Sequence, residues 1–162
     1  MFDGLLFSGT TALALDAKGR MSVPSKYREY FEVSDNDQAE LVITRSLFDK
    51  CLWIYPVSEW EKVVSSLGEL PTLTDPLCRT IQRIVLGSAV FCPLDGTGRV
   101  LLPQQLRQVA LIDKKAYLIG FNNKFELWSE SCFDEQRRND DELLRQASSS
   151  MSTHHLLEGL KL

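Results

Sequence analysis

Two stretches of this chain carry nearly the same sequence, and this repetition limits the folds that are open to it. Residues 15–30 read LDAKGRMSVPSKYREY, and residues 94–109 read LDGTGRVLLPQQLRQV. When Asp16 is aligned with Asp95, an offset of 79 residues, a Leu, an Asp, a Gly, an Arg, a Pro and a second Arg recur at the same places. Self-similarity at a fixed spacing indicates a structural unit that is used twice. The sequence therefore predicts a tandem of two copies of one module.

Each copy also predicts the same order of short strands and helices. In the first copy, TALALD alternates like a strand, DAKG supplies turn residues and RMSV is a returning strand. A short helix follows from Pro24, because proline is tolerated at a first helical position. ELVITR and CLWIYP then form a second strand pair, and Ser58 with Glu61 predicts a capping box at the start of a helix. AVFCPLD, RVLL, PQQLRQV, KAYLIG and KFELWS repeat this order, and Ser131 with Asp134 takes the place of the capping box.

The predicted fold class is α+β, a tandem repeat of hairpin and helix modules. Residues 1–76 are the first module, and residues 77–145 are the second module with its linking helix, which Asp75 and Pro76 open. Residues 146–162 form a Ser-rich tail, which we expect either to be mobile or to dock on a neighbouring subunit.

Composition limits the classes of function. Charged residues make up 25% and hydrophobic residues 44% of the chain, as in globular proteins, and no apolar run reaches the roughly 18 residues of a membrane span. The N-terminus lacks the basic region of a signal peptide, so a cytoplasmic location is expected. The four cysteines are scattered and both histidines lie near the C-terminus, so we expect reduced core cysteines, no metal site and no cofactor.

The repeated Asp-x-x-x-Arg turn first suggests a structural role for its acids. An aspartate at the end of a strand can accept N–H bonds from the turn that follows it and a guanidinium bond at the same time. Asp16 and Asp95 are therefore predicted to shape the two turns, together with Gly98 in the second copy. This interpretation explains the repetition without any function.

The cations of the turns suggest a binding role. Lys18, Gly19 and Arg20 would stand at a hairpin tip, where exposed cations suit phosphate contact or bidentate recognition of guanine. An ordinary solvated turn is the alternative. The second tip carries Thr97 and Arg99, so the two tips are not equally cationic. The net charge of −4 argues weakly against nucleic acid, but residues 15–28 hold four cations and one acid, so a local basic face remains open.

Several further residues have both a structural and a binding interpretation. Arg28 and Arg107 are predicted to be helix-surface charges or partners of the motif aspartates, with direct DNA contact as the alternative. The tryptophans fall at strand and helix periodicity, which favours core positions over a base-stacking platform. The chain has no histidine before the tail to act as a base, and it has no P-loop or G-x-S-x-G motif, so we expect no enzyme.

These residues resemble the MraZ family. The stretches LDAKGRMSVPSKYRE, YPVSEWEK, RIVLGSA, LDGTGRVLLPQQLR and NNKFELWSE are similar to segments of that family, in the same order, over residues 7–145. The family usually starts with Met-Phe-Arg-Gly, and here Ser8 stands in place of that Arg, after six extra residues.

The resemblance implies a fold and a function. The expected fold is AbrB-like, in which two hairpin modules interlock into a small β-barrel with flanking helices. The expected function is a bacterial transcriptional regulator of the division and cell-wall gene cluster, associated with the nucleoid, in which a homo-oligomeric ring binds direct repeats in double-stranded DNA. The family motif, which the resemblance links to DNA binding, corresponds here to Asp16, Lys18, Gly19 and Arg20 and to Asp95, Gly98 and Arg99. We predict DNA contacts for Lys18, Gly19, Arg20 and Arg99, and also for Thr97, which could donate to a phosphate.

Two rival interpretations stay open beside this one. A ring-forming scaffold or protein-interaction module that does not touch DNA would suit the acidic net charge. An enzyme built on a related barrel is the more distant rival, and a deep pocket with a perturbed carboxylate would be its mark. No membrane and no small-molecule substrate is expected.

Overall fold

The computed structural model describes residues 7–31, 38–148 and 155–161, and these form strands and helices in the repeated order that the sequence predicts. The elements of the first copy are β1 (Thr10–Ala14), β2 (Arg20–Ser22), α1 (Ser25–Arg28), β3 (Glu40–Arg45), β4 (Leu52–Pro56) and α2 (Val57–Gly68). Those that follow are α3 (Pro76–Gly87), β5 (Val90–Pro93), β6 (Arg99–Leu101), α4 (Gln104–Val109), β7 (Lys115–Phe121), β8 (Lys124–Ser129), α5 (Glu130–Ala147) and a 3₁₀ turn (His155–Leu157). The mixed α+β class is confirmed. Much of the predicted mobile tail, residues 149–154 and 162, lies outside the described residues.

The two copies are interlocked through one antiparallel sheet. Its strand order is β1-β7-β8-β4-β3-β5, so each copy places its first strand on the edge of the other copy's strand pair. In this order β1 and β5, β7 and β3, and β8 and β4 occupy equivalent places. The sheet therefore has the pseudo-twofold arrangement of two equal modules, and β4 and β8 pair at its centre.

The returning strands β2 and β6 form a separate two-stranded ribbon. They pair antiparallel with each other, with Met21 opposite Val100, although each was predicted to return along its own hairpin. The β1–β2 turn closes with backbone bonds from the Asp16 N–H to the Arg20 carbonyl and from the Gly19 N–H to the Asp16 carbonyl, and β2 then pairs with β6. Within the described residues no ladder joins β1 to β5, so the pairing shows a sheet and a ribbon and does not show a closed barrel.

The main core lies beneath this ribbon and draws on both copies. Met21 and Val100 are each 1% exposed and face inward from the ribbon. Phe7 stacks on Phe125 of β8 with ring centroids 4.2 Å apart, so the chain ahead of β1 is anchored in the core of the other copy. Burying side chains of this size stabilises a fold by about 1.5–3 kcal/mol each. Because one face of the ribbon is committed to the core, its other face is turned outward.

The helix starts confirm one predicted cap and correct two. Asp75 caps α3 as predicted, since its Oδ1 accepts from the Leu77 N–H at 2.8 Å. The predicted capping box of α2 is wrong, because the helix begins at Val57 directly after Pro56 and has no side-chain cap bond. In α5 the capping oxygen belongs to Ser129, which accepts from the Cys132 N–H at 3.1 Å, two residues before the predicted Ser131.

The predictions for cysteines and tryptophans can be compared with their burial. Trp60 and Trp128 are core residues as predicted, at 4% and 3% exposure, whereas Trp53 is only partly buried and packs against the core. Three of the four cysteines are buried, and Cys78 on α3 is partly exposed.

Candidate nucleic-acid interface

The first turn, residues 16–20, is organised around one carboxylate. The Oδ1 atom of Asp16 accepts from the backbone N–H groups of Lys18 at 3.0 Å and Arg20 at 2.9 Å. Its Oδ2 atom accepts from Nε of Arg20 at 2.7 Å. The N–H of Gly19 donates to the Asp16 carbonyl at 3.0 Å, and Gly19 has a φ of +84°. One side chain thus holds the turn backbone and the guanidinium together.

The second turn, residues 95–99, repeats this geometry with one difference. Oδ1 of Asp95 accepts from the N–H groups of Thr97 and Arg99, both at 2.9 Å, and Oδ2 accepts from Nε of Arg99 at 2.9 Å. Gly98 has a φ of +78°. The difference is the Thr97 hydroxyl, which also donates to Asp95 Oδ1 at 2.8 Å. The hydroxyl that could meet a phosphate is therefore bonded within its own turn.

These hydrogen bonds keep both carboxyl groups ionised. The pKa of Asp16 is lowered chiefly by the backbone N–H of Arg20, with further contributions from the Arg20 side chain and the Lys18 N–H. The pKa of Asp95 is lowered further, chiefly by the backbone N–H of Arg99 and then by the Thr97 hydroxyl. Each bond favours the charged form of the acceptor. Both Asp–Arg pairs are therefore fully charged at neutral pH.

The ribbon brings the two motif arginines onto one outward face. Arg20 pairs with Leu101 and Ser22 pairs with Arg99, so these four side chains share the face opposite Met21 and Val100. Arg20 and Arg99 are diagonal neighbours, a relation that places Cα atoms roughly 7–8 Å apart. Their side chains are 31% and 38% exposed. The sequence predicted each arginine at its own tip but not that both would lie on a single strand pair.

The free ends of the two guanidinium groups are available to an outside acceptor. In each, Nε is bonded to the neighbouring aspartate. Within the described parts of the chain, the side chains of Arg20 and Arg99 make no other hydrogen bond or ion pair. The terminal Nη groups form a planar fork that matches the paired acceptors of a carboxylate, a phosphate or a guanine edge. Because the aspartate already orients the guanidinium, less rotamer entropy is lost when that fork binds.

The charge at the two turns is unequal. Each Asp–Arg pair is neutral as a unit, so unpaired charge must come from other groups. The Lys18 side chain makes no hydrogen bond or ion pair among the described residues, whereas Thr97 is uncharged. The first turn is therefore the more cationic of the two.

Arg28 and Arg107 lie at the turns, but each at the turn of the other copy. The Arg28 guanidinium packs over Gly98, and the Arg107 guanidinium packs over Gly19. Nε of Arg28 donates to the Val23 carbonyl at 2.9 Å, while Nε of Arg107 is buried without a hydrogen-bond partner. One of the sequence interpretations paired each arginine with a motif aspartate. Neither arginine forms an ion pair with the motif aspartate of its own copy. No signal within one copy could have found this crossing, because it depends on how the copies interlock.

Other candidate chemistry is weak in the part of the chain that the structure describes. Glu126 has a raised pKa because it is partly buried, but its Oε1 accepts from Nε1 of Trp128 at 3.2 Å, which is a structural role. The described residues contain no group of His, Cys, Asp and Glu side chains arranged to hold a metal ion. They also contain no helix with the length and apolar character to span a bilayer.

The chain matches a known family along nearly its whole length. The sequence model of the family described as "MraZ protein, putative antitoxin-like" matches twice, at residues 6–84 and 85–154. The chain belongs to the MraZ family. It is 49% identical over 131 residues to the "Transcriptional regulator MraZ" of Shewanella pealeana, covering 81% of this chain and 84% of that MraZ protein.

Two further MraZ proteins show the same relation. The "Transcriptional regulator MraZ" of Pseudomonas fluorescens is 44% identical over 80% of this chain and 83% of its own length. That of Pseudomonas aeruginosa is 41% identical over 87% of this chain and 91% of its own length. The MraZ family, to which this chain belongs, is a family of transcriptional regulators and not of enzymes.

Proposed function

We propose that this chain is a sequence-specific DNA-binding transcriptional regulator, and that the outward face of the β2–β6 ribbon, with its two turns, contacts DNA. The single observation that carries the proposal is the placement of Arg20 and Arg99 on one exposed face, each oriented by an aspartate. Lys18, Gly19 and Thr97 lie in the turns at either side of this face and belong to the same proposed site.

The shape and chemistry of this face suit the major groove. A groove about 12 Å wide admits a two-stranded β-ribbon, and an arginine fork can bond O6 and N7 of one guanine. Two such forks, carried by residues whose Cα atoms are about 7–8 Å apart, would reach separate bases of one site. Lys18 would add a phosphate contact, which positions the protein without specifying sequence.

An oligomer would compensate for the weak basicity of one subunit. The chain has a net charge of −4, and its ribbon offers only a few unpaired cations. Several identical ribbons bound to direct repeats gain affinity through effective concentration, and the salt dependence rises with the number of ribbons engaged. We therefore include in the proposal a homo-oligomeric ring, bound in the nucleoid to direct repeats in the promoter of the division and cell-wall gene cluster.

A ring-forming scaffold without DNA binding is the second candidate. It is favoured by exposed apolar side chains outside the ribbon strands, notably Leu73 at 95%, Phe48 at 82% and Phe91 at 51% exposure. Such side chains mark protein contact surfaces when they lie together. They are equally compatible with assembly of a DNA-binding ring, so they do not oppose the first proposal.

A mobility-shift titration against the DNA upstream of the protein's own gene tests the proposal. Wild type and Arg20→Ala are compared at two salt concentrations, with Arg138→Ala on α5 as a control that removes one exposed arginine far from the ribbon in sequence. We expect a salt-sensitive shift for wild type and the control, and a loss of at least about fivefold in affinity for Arg20→Ala, because one bidentate guanine contact discriminates by about 1–3 kcal/mol. An Arg20→Ala variant that binds like wild type would refute the assignment of this face. No shift for wild type, with an oligomer still present by light scattering, would favour the scaffold.

A further inference from the structure

Each proposed DNA-facing turn is covered by an arginine from the other copy. A Cβ atom added to Gly19 would lie 2.6 Å from Cζ of Arg107, and one added to Gly98 would lie 2.5 Å from Cζ of Arg28. These separations are far below an ordinary van der Waals contact of about 3.5–4.0 Å. The guanidinium groups therefore rest directly on the backbone of the two turns, in a contact that occurs twice with exchanged roles.

This contact gives a second reason for glycine at the two positions. The positive φ values of +84° and +78° favour glycine, but asparagine and aspartate also adopt that region. Any side chain there, including those two, would also have to push aside the guanidinium group at the end of a flexible arginine side chain. The repeated glycine therefore marks a close approach as well as a backbone conformation.

Backbone hydrogen bonds connect the residue after each ribbon strand to the turn of the other copy. The N–H of Val23 donates to the Gly98 carbonyl at 2.9 Å, and the N–H of Leu102 donates to the Gly19 carbonyl at 3.0 Å. The Val23 carbonyl also accepts the Nε bond of Arg28, so one residue, Val23, connects this arginine to the turn. The end of each ribbon strand and the helix after it thus contact the turn of the other copy.

We propose that Arg28 and Arg107 are reciprocal positioning residues. Each holds the turn of the other copy in the conformation that presents its Asp–Arg pair, so neither turn is competent to bind without the other module. The DNA part of this inference rests on the proposed function, whereas the positioning itself does not. It makes the interlocked tandem, and not the single module, the smallest binding unit.

Arginine suits this role better than lysine. A planar guanidinium can lie flat on a peptide unit, and its charge stays beside a turn whose own Asp–Arg pair is neutral. A lysine would keep the charge but not the flat contact. The charge-conserving variants Arg28→Lys and Arg107→Lys therefore separate positioning from charge.

Hydrogen exchange measured by mass spectrometry tests the positioning in the intact oligomer. We expect Arg107→Ala and Arg107→Lys to raise exchange about tenfold in peptides that contain residues 16–22, where these contacts hold the turn amides closed. We expect Arg28→Ala and Arg28→Lys to do the same at residues 95–101. Lys26→Ala is the matched control, because Lys26 lies on the same helix as Arg28 and its ammonium lies 4.8 Å from the ring centre of Tyr27. Faster exchange only in the variant's own turn, or no change in either turn, would overturn the inference.

DNA binding of the same variants provides the second arm. A positioning residue should lower the affinity about tenfold in the lysine variants while the slope of log K against log salt stays unchanged. A direct phosphate contact would reduce that slope by about one in the alanine variant and would be rescued by lysine. Rescue by lysine would therefore refute positioning. Should an alanine variant fail to fold, its lysine counterpart carries both measurements.

The two arms also separate this inference from the proposed function. Wild type that binds no DNA would end the proposed function and the DNA part of the inference, and the exchange pattern would still decide whether the turns are held across the copies. If wild type binds DNA, and the lysine variants bind it equally well and show equally slow amide exchange in the turns, the inference is refuted and the proposed function is not.

Discussion

Replacing Gly19 with alanine should destabilise the protein through two effects that can be measured separately. The first is backbone strain, because placing a non-glycine residue at a φ of +84° costs roughly 1–2 kcal/mol of conformational free energy. The second is displacement of the Arg107 guanidinium, whose Cζ lies 2.6 Å from the position of the new Cβ. Because this guanidinium ends a flexible side chain that can move aside, its displacement adds at most about 1 kcal/mol.

The expected total is a loss of about 1–3 kcal/mol in the free energy of unfolding. For a chain of this size that corresponds to a decrease of about 2–12 °C in Tm. The assay is thermal unfolding followed by circular dichroism at one fixed protein concentration, because assembly contributes to apparent stability. Gly68→Ala is the matched control, since this glycine lies in α2 with an ordinary φ and nothing within 4 Å of the added Cβ. That change should be neutral or slightly stabilising.

A double-mutant cycle tests the physical reasoning behind this magnitude. In an Arg107→Ala background the guanidinium is absent, so Gly19→Ala should lose only the strain contribution of about 1–2 kcal/mol. Equal effects of Gly19→Ala in both backgrounds would show that the contact with Arg107 has no energetic consequence. A Gly19→Ala variant as stable as Gly68→Ala would refute both parts.

Two further predictions concern the charges of the turns. Lys18→Thr should reduce the slope of log K against log salt by about one per ribbon engaged, and Thr97→Lys should increase that slope by a similar amount. Fluorescence anisotropy over a salt series measures both slopes. Slopes equal to that of wild type would show that these positions meet no phosphate. Because the pKa values of Asp16 and Asp95 are lowered in the folded state, their stabilising effect is complete above the unfolded value of about 3.9 and is lost as pH falls through the folded values. The Tm difference between wild type and Asp16→Asn should therefore be constant from pH 6 to 8 and should shrink below about pH 4, and a difference that changes near neutral pH would contradict this assignment.

Part of the site could be predicted from sequence because its geometry is local. Asp16 and Arg20 are four residues apart, and the turn between them closes with bonds that involve only those residues and their neighbours. The repetition at Asp95 and Arg99 strengthened the same interpretation. The two predicted capping boxes were wrong. Pro56 and Ser129 start their helices earlier than the patterns at Ser58 and Ser131 indicated.

The amino-acid sequence by itself determined that one module is used twice, the order of its elements and the chemistry of each turn. These features depend on residues a few positions apart, where turn and propensity rules apply. Only the tertiary structure decided which copy each strand joins, and with it the positions of Arg28 and Arg107. The partners β1 and β7, or Arg107 and Gly19, are far apart in sequence and come together through a shared core. Equivalent strands of two similar modules can pair within a copy or between copies with the same local hydrogen bonds, so burial of the common core, and not local pattern, selects the exchanged arrangement.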